Sequence, residues 1–415
     1  MRPILFALGA LGLLLGTSPA FAEPSSCGIR SAQDILDCVL THHPDLAVSQ
    51  AAVERDIELA AVARQRPNPE LESKILAGTS SAADDLETET RLLHTVELGG
   101  KRKARLREAK AFGEIAVADR QKTREEVALA TVLALHRLRQ IRTERAYLRE
   151  SLESFGRILG QLKTRPLLSP EQSVSQSVFE MAAEEYRLKE TTLLAEENGL
   201  KSSLELATGL PFESLQRHLP AAKTSWPKIG GDGGPAAGAG DLQKAKAETD
   251  RASAGLEAAK SLSWPDLKIG PTVQTANPSG AGRTGTSVGG TISLPIPLLS
   301  VNGGGRRFAA AEKARAELNL RATNERLAKE RQKQVERYRS AVKIFSQFRS
   351  RSALGAKHKA VDDLFERGLA PSALVLESHR QMIEIIRSLD EQELAALDAL
   401  WRIAILDGKL TEAKL

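Results

Sequence analysis

Two long stretches without proline limit the folds open to this chain. Residues 104–162 and 308–366 each run for 59 residues with no proline. Because proline disrupts a helix interior, each stretch predicts one long helix, about 88 Å in extent at 1.5 Å per residue. Such helices are too long for an ordinary globular domain. Apolar residues recur along the first at steps of three and four, with one step of seven where Arg145 occupies the vacant position, which predicts coiled-coil packing: Leu138, Ile141, Leu148, Leu152, Phe155, Leu159 and Leu162.

The elements around these helices also occur twice. In each copy an Ala-rich helical segment stops at a proline, Pro69 in the first and Pro265 in the second. Segments that alternate apolar and polar residues follow, as β-strands do. We predict four strands in two hairpins, at about residues 71–78, 89–98, 267–276 and 286–296. The chain then divides into a first repeat at 23–219, a Gly/Pro-rich linker at 220–240 and a second repeat at 241–415.

Strands of about ten residues with one apolar and one polar side are typical of outer-membrane β-barrels. A soluble, half-buried hairpin has the same alternation, so each strand alone fits both interpretations. A glycine-rich basic segment follows each hairpin, and we interpret its glycines as strand-to-helix turns. These are Gly99, Gly100, Gly303, Gly304 and Gly305. Neither segment matches the P-loop or the dinucleotide-binding fingerprint.

Both long helices end in a short turn, from which a second proline-free helix returns. The candidate contact residues at these two turns are Arg165, Pro166, Ser169, Arg367, Gly368 and Ser372. A cation at a helix C-terminus also stabilises the helix dipole, which is the alternative role of the two arginines. Asp362 and Asp363 come shortly before the second turn. They could line a channel with negative charge or belong to an ordinary solvated surface.

The N-terminus has the features of an exported protein. Residues 1–22 combine Arg2, an apolar segment and an Ala-x-Ala end, which predicts a cleaved signal peptide. Because export leads to an oxidising compartment, we predict a disulfide between Cys27 and Cys38. Lipidation of Cys27 is the alternative, although the residues before it lack the apolar character of a lipobox.

Charge and composition argue against several classes of protein. The net charge of +5 comes from 58 basic and 53 acidic residues that are interspersed, so nucleic-acid binding is not expected. The seven histidines show no metal-ligand spacing, and no nucleophile, base and acid form a recognisable catalytic set. We therefore expect no enzyme activity, no cofactor and no resident metal. Aromatic residues make up only 4% of the chain, as suits long helices packed by Leu and Ala.

Taken together, the chain resembles the outer-membrane efflux proteins of the TolC family over residues 46–408. The resemblance rests on the duplicated plan, on the strand entry Pro69-Glu70-Leu71 and on the turn from Arg367 to Ser372. The segment Val96-Glu-Leu-Gly-Gly-Lys-Arg102 is further similar to the heavy-metal (cobalt-zinc-cadmium) branch of that family.

The resemblance implies a mainly α-helical protomer with a small β part, assembled as a homotrimer in outer-membrane lipid. Three copies would form a 12-stranded β-barrel continuous with a long periplasmic coiled-coil barrel. It also implies a passive exit duct, here for heavy-metal cations. A periplasmic adaptor (membrane fusion) protein at the helical turns would link it to an inner-membrane pump of the RND type. A channel for drug efflux or type I secretion, and a periplasmic adaptor protein, are the alternatives.

Overall fold

A computed structural model of the chain describes residues 27–80, 83–230, 239–277, 285–299, 301–347, 351–367 and 369–410. The predicted signal peptide and Gly368 lie outside these residues. The helices are α1 (Ala32–His42), α2 (Pro44–Arg64), α3 (Lys101–Lys163), α4 (Pro170–Thr208), α5 (Phe212–Leu215), α6 (Gly240–Ser261), α7 (Gly303–Gln347), α8 (Arg351–Glu366) and α9 (Ser372–Leu406). The strands are β1 (Glu70–Ser80), β2 (Ala83–Val96), β3 (Leu267–Asn277) and β4 (Gly285–Ser293).

One order of elements occurs twice. Helix α2, strands β1 and β2 and helices α3 and α4 are followed by helix α6, strands β3 and β4 and helices α7, α8 and α9. Helix α3 runs unbroken for 63 residues. In the second copy α7 and α8 flank residues 348–350, which lie outside the described residues. The chain is therefore mostly helical, with one small sheet.

The four strands form one antiparallel sheet in the order β1-β2-β3-β4. The first hairpin extends further than predicted, since pairing continues to Ser80 and Ala83 where the sequence suggested a loop over 78–88. Strand β4 ends at Ser293, before the predicted residue 296, because Pro295 and Pro297 lack the amide N–H that a sheet needs.

The core beside the helical turns is formed by α3, α4 and α9. Phe155 of α3 packs edge-on against Phe179 and Tyr186 of α4, with ring centroids 5.5 and 5.2 Å apart. Arg145, which interrupts the apolar series of α3, forms a salt bridge with Glu197 of α4. A buried charged residue is thus accommodated in the helix interface by pairing with the opposite charge.

The predicted linker is partly packed. Residues 221–230 lie against α7, where the Trp226 ring stacks on Phe345 with centroids 5.6 Å apart. The hydroxyl of Tyr338 also donates a hydrogen bond to the carbonyl of Pro227, at 2.7 Å. Composition indicated a flexible segment, but the first half is held by this ring contact and by hydrogen bonds, including one from the Lys223 amide to Glu393 of α9 at 3.1 Å. Residues 231–238 lie outside the described residues.

Candidate functional site: the sheet, the helical turns and a buried histidine cluster

The sheet has two chemically different faces. Residues directly opposite each other in a β-ladder lie on the same face, and the register places Leu71 beside Leu92 and Ile269 beside Ile292. One face carries exposed apolar side chains: Leu71, Ile75, Leu86, Leu92, Ile269, Val273, Val288 and Ile292. The other carries Glu70, Glu72, Lys74, Glu87, Glu89, Arg91 and Lys268. None of the described residues covers the apolar face, and Ile292 is 78% exposed.

Ion pairs organise the charged face. Lys268 Nζ lies 2.6 Å from Glu70 Oε2, and Arg91 Nε donates to Glu89 Oε1 at 2.7 Å. One face suited to water and one suited to an apolar medium are what a strand segment between lipid and an aqueous lumen requires. The outer edges of β1 and β4 have no partner strand among the described residues.

The two strand-to-helix junctions are built differently. Gly99 and Gly100 adopt positive φ angles of 69° and 77° between β2 and α3, as the turn prediction requires. In the second copy Gly303, Gly304 and Gly305 form the first turn of α7 instead. There the positive φ belongs to Asn302, at 52°. Asparagine tolerates this conformation, and its amide is held by the Ala259 carbonyl at 2.8 Å. The prediction for the second glycine cluster was therefore wrong.

The turns at the ends of the helical hairpins are exposed. Arg165, Pro166 and Arg367 are all solvent-accessible. Ser169 caps α4 with a capping box, in which its hydroxyl accepts from the Gln172 amide at 3.2 Å.

Ser372 begins α9, directly after Pro371. Two further candidate contact residues at these turns were not predicted from the sequence: Leu167 and Leu369, which are 89% and 71% exposed. Each turn thus pairs a cation with an exposed leucine, a combination suited to contact with another protein.

Cys27 and Cys38 are joined by a disulfide, with their Cα atoms 5.9 Å apart. The bond ties the segment before α1 to that helix. His42 Nδ1 lies 3.4 Å from Cys27 Sγ. Although these three residues have metal-ligating side chains, thiolates are the metal-binding form of cysteine. The disulfide therefore rules out this group as a thiolate metal site.

A buried polar cluster lies between α3, α8 and α9, one or two helical turns from the second hairpin end. His358 and Asp362 come from α8 and His379 from α9, and one ligand atom from each lies within 4.8 Å of the other two. His379 Nδ1 is 2.8 Å from Ser151 Oγ, and His379 Nε2 is 3.4 Å from Asp362 Oδ1. The two imidazole rings meet edge to face with centroids 4.2 Å apart.

Ser151, His379 and Asp362 are the residue types of a hydrolase triad, but the arrangement does not suit catalysis. Ser151 is 2% exposed, and its hydroxyl donates to the Tyr147 carbonyl at 2.8 Å. A substrate cannot reach a nucleophile buried between helices. The cluster is a packed polar group rather than an active site.

Sequence spacing did not reveal this cluster. His379 lies 21 positions after His358, and the expectation of no metal ligands rested on local spacing alone. The i, i+4 spacing of His358 and Asp362 on one helix face was the available signal. The structure also separates the paired aspartates: Asp362 faces His379, whereas Asp363 is exposed.

A second buried network joins α3 to α9. Arg139 Nη2 contacts Glu393 Oε2 at 2.5 Å, and Gln140 Nε2 donates to the same oxygen at 3.1 Å. Burial alone would raise the pKa of Glu393, but Arg139 and these hydrogen bonds hold it below its usual value. Burial lowers the pKa of the neighbouring His136 to about 4, so this histidine is neutral at pH 7.

Among the described residues, no helix is long and apolar enough to span a membrane. No protein-family model and no curated protein matches the sequence. Solved structures do match.

The outer-membrane channel OprN aligns with a TM-score of 0.71 and 17% identity, over 91% of this chain and 89% of that one. The CmeC outer-membrane channel of Campylobacter jejuni aligns with a TM-score of 0.68 and 13% identity, over 91% and 86%. The chain has the fold of outer-membrane channels.

A third neighbour, CusC, aligns with a TM-score of 0.66 and 17% identity over 91% of both chains, and its structures concern transmembrane channel formation. These neighbours are channels rather than enzymes. At such low identities the likeness extends to the fold alone. The sequence resemblance pointed to the same architecture.

Proposed function

We propose that this protein is the outer-membrane channel of a tripartite efflux system, and that it works as a homotrimer. One observation carries the proposal: a four-stranded sheet with one exposed apolar face and one charged face stands on long helical hairpins. The apolar face would contact outer-membrane lipid, and the charged face would line the water-filled lumen.

The trimer follows from the two free edges of the sheet. In hydrocarbon every backbone polar group needs a partner, so an open edge is not tolerated. Four strands are too few to close on themselves, whereas three copies joined from β4 to β1 supply twelve. The helical hairpins of the three copies would continue the duct across the periplasm.

The exposed turns at the hairpin ends are the proposed docking surface for a periplasmic adaptor, which would link the channel to an inner-membrane pump of the RND type. Arg165 and Arg367, with Leu167 and Leu369, supply the charge and the apolar area. For the cargo we propose heavy-metal cations, on the similarity of the segment from Val96 to Arg102 to the heavy-metal branch.

Fractionation tests the channel itself. The full chain is expressed with its leader, and outer membranes, inner membranes and soluble periplasm are separated. We expect the protein in the outer-membrane fraction and, after purification in detergent, single-channel conductance in planar bilayers. Recovery as a soluble periplasmic monomer would defeat the channel proposal and favour the adaptor alternative.

Docking is tested at the second turn. Arg367→Glu reverses a charge at the proposed contact and is expected to weaken adaptor binding at least tenfold. Arg187→Glu makes the same charge change on the exposed side of α4, away from the turns, and serves as the matched control. Equal binding by both variants, measured by surface immobilisation of the adaptor, would place the docking surface elsewhere.

Growth assays test the cargo. A deletion strain is expected to become sensitive to cobalt, zinc and cadmium salts and to recover with the wild-type gene on a plasmid. Unchanged metal tolerance together with new sensitivity to drugs would replace the heavy-metal cargo by drug efflux, while leaving the channel intact.

A further inference from the structure

The hydrogen bonds around His379 define which of its ring nitrogens carries the proton. The hydroxyl of Ser151 has a single hydrogen, which it donates to the Tyr147 carbonyl at 2.8 Å. Ser151 Oγ is therefore the acceptor of its 2.8 Å contact with His379 Nδ1. A neutral imidazole protonated at Nδ1 has a lone pair at Nε2. His379 Nε2 is thus an acceptor, directed towards Asp362.

His379 Nε2 and the Asp362 carboxylate face each other in a buried site, as two ligands of one metal ion do. His379 is 1% exposed, and its Nε2 has no hydrogen-bond partner among the described residues. Asp362 Oδ1, at 3.4 Å, lies beyond the usual range of about 2.7–3.2 Å for an N–H···O bond.

The 3.4 Å between His379 Nε2 and Asp362 Oδ1 fits two ligands of one metal ion. Zinc binds histidine nitrogen and carboxylate oxygen at about 2.0–2.2 Å, so two ligands on one tetrahedral ion lie about 3.3–3.5 Å apart. His358 supplies a third ligand atom within 4.8 Å of the other two. Its Nδ1 lies 3.0 Å from the Ser378 hydroxyl. Hydroxyl contacts to both rings provide the outer-shell support that orients metal-binding histidines.

We propose that His358, Asp362 and His379 form a binding site for a divalent transition-metal ion of the zinc class. Two imidazoles and one carboxylate are borderline-hard ligands that suit Zn²⁺ or Co²⁺ rather than Mg²⁺ or Ca²⁺. The ion would tie α8 to α9 and, through Ser151, α9 to α3. It would therefore brace the second hairpin close to its exposed turn. The site lies on α8 and α9 rather than on the sheet, and its existence does not depend on what the channel transports.

Metal analysis of the purified full-length mature protein tests the site. The protein is stripped with a chelator, exchanged into metal-free buffer and titrated with Zn²⁺ alone by calorimetry. We expect about one tight Zn²⁺ per chain. Asp362→Asn and His358→Gln are expected to weaken this binding at least tenfold. Asp363→Asn, the exposed neighbour of Asp362, is the matched control and should bind as the wild type does.

Co²⁺ provides a second, spectroscopic measurement that does not depend on affinity. A tetrahedral site gives intense visible absorption, which we expect in the wild type and in Asp363→Asn but not in Asp362→Asn. Far-UV circular dichroism and gel filtration identify any variant that has failed to fold. If Asp362→Asn or His358→Gln fails to fold, His379→Gln is tested in its place. The proposal is overturned if the stripped wild type binds no Zn²⁺, if Asp363→Asn loses as much affinity as Asp362→Asn, or if all variants bind equally.

Discussion

Gly99 and Gly100 turn the chain from β2 into α3 in the left-handed conformation, but they have different surroundings. A Cβ atom on Gly99 would lie 2.7 Å from the side chain of Trp264, whereas one on Gly100 would have no neighbour within 4 Å. Lys101 Nζ, next in the chain, pairs with Asp266 Oδ1 at 2.6 Å. The first junction therefore packs against the segment that precedes β3, through Trp264 and Asp266.

Alanine at the two glycines separates backbone conformation from packing. Each replacement places a Cβ in the left-handed region, at a cost of about 1–2 kcal/mol. Gly99→Ala must also displace Trp264, so its melting temperature should fall clearly below that of Gly100→Ala. Scanning calorimetry of the two purified variants checks this. Equal melting temperatures would mean that the junction is looser than the structure shows.

His136 predicts how stability depends on pH. Its pKa is about 4 in the folded chain and about 6.5 when unfolded. Between these values the unfolded chain binds a proton that the folded chain does not, so the free energy of unfolding falls as the pH falls. From pH 7 to pH 5 this contribution is about 2 kcal/mol.

We expect His136→Gln to lose that part of the pH dependence, measured by denaturant unfolding at pH 7 and pH 5. His218→Gln, in the short turn after α5, is the control and should keep the wild-type dependence. If His136→Gln shows the same decrease as the wild type, burial between the helices does not lower the pKa of this histidine.

At the scale of the element, the two faces of the sheet allow different substitutions at neighbouring positions of β4. Ser287 and Val288 are neighbours in β4, yet they pair with Gln274 and Val273 and so belong to opposite faces. Alternation in the sequence predicted this, and the register extends it across all four strands. The charged face is bridged by ion pairs, whereas the apolar face is left open by the part of the chain that the structure describes.

Lysine at these two positions tests which face meets lipid. Val288→Lys would put a charge in hydrocarbon, at a cost of about 2–4 kcal/mol per strand near the bilayer midplane. We expect little folded protein in the outer membrane from this variant. Ser287→Lys lies on the opposite, charged face and should accumulate normally, as judged by blotting of membrane fractions. The reverse result would mean that the sheet is oriented the other way.

At the scale of the whole molecule, the free edges of β1 and β4 predict the number of copies. Limited chemical cross-linking of the purified protein should give a ladder that ends at three chains, because closure of the sheet leaves no edge for a fourth. Multi-angle light scattering, corrected for detergent, gives the same number independently. A ladder that ends at two chains would be incompatible with a 12-stranded barrel.

Local periodicity explains why so much of the architecture could be predicted. Helix and strand patterns repeat every few residues, so the long helices, the four strands and the duplicated order are visible in the sequence itself. The boundaries of the elements were predicted less accurately than the elements themselves. The first hairpin is longer than expected, and the segment around Trp226 is packed against α7. Asn302, rather than the glycines after it, adopts the left-handed turn because its amide finds a carbonyl in α6.

By itself, the sequence determined the elements, their order and the alternation that gives the sheet its two faces, since these depend on neighbours in the chain. The pairing of β2 with β3 and the meeting of His358 and Asp362 with His379 were decided only by the tertiary structure. Side chains far apart in sequence converge according to how helices rotate and pack against each other, which no local spacing records. The histidine cluster, formed by helices from both repeats, therefore emerged only when α3, α8 and α9 were seen together.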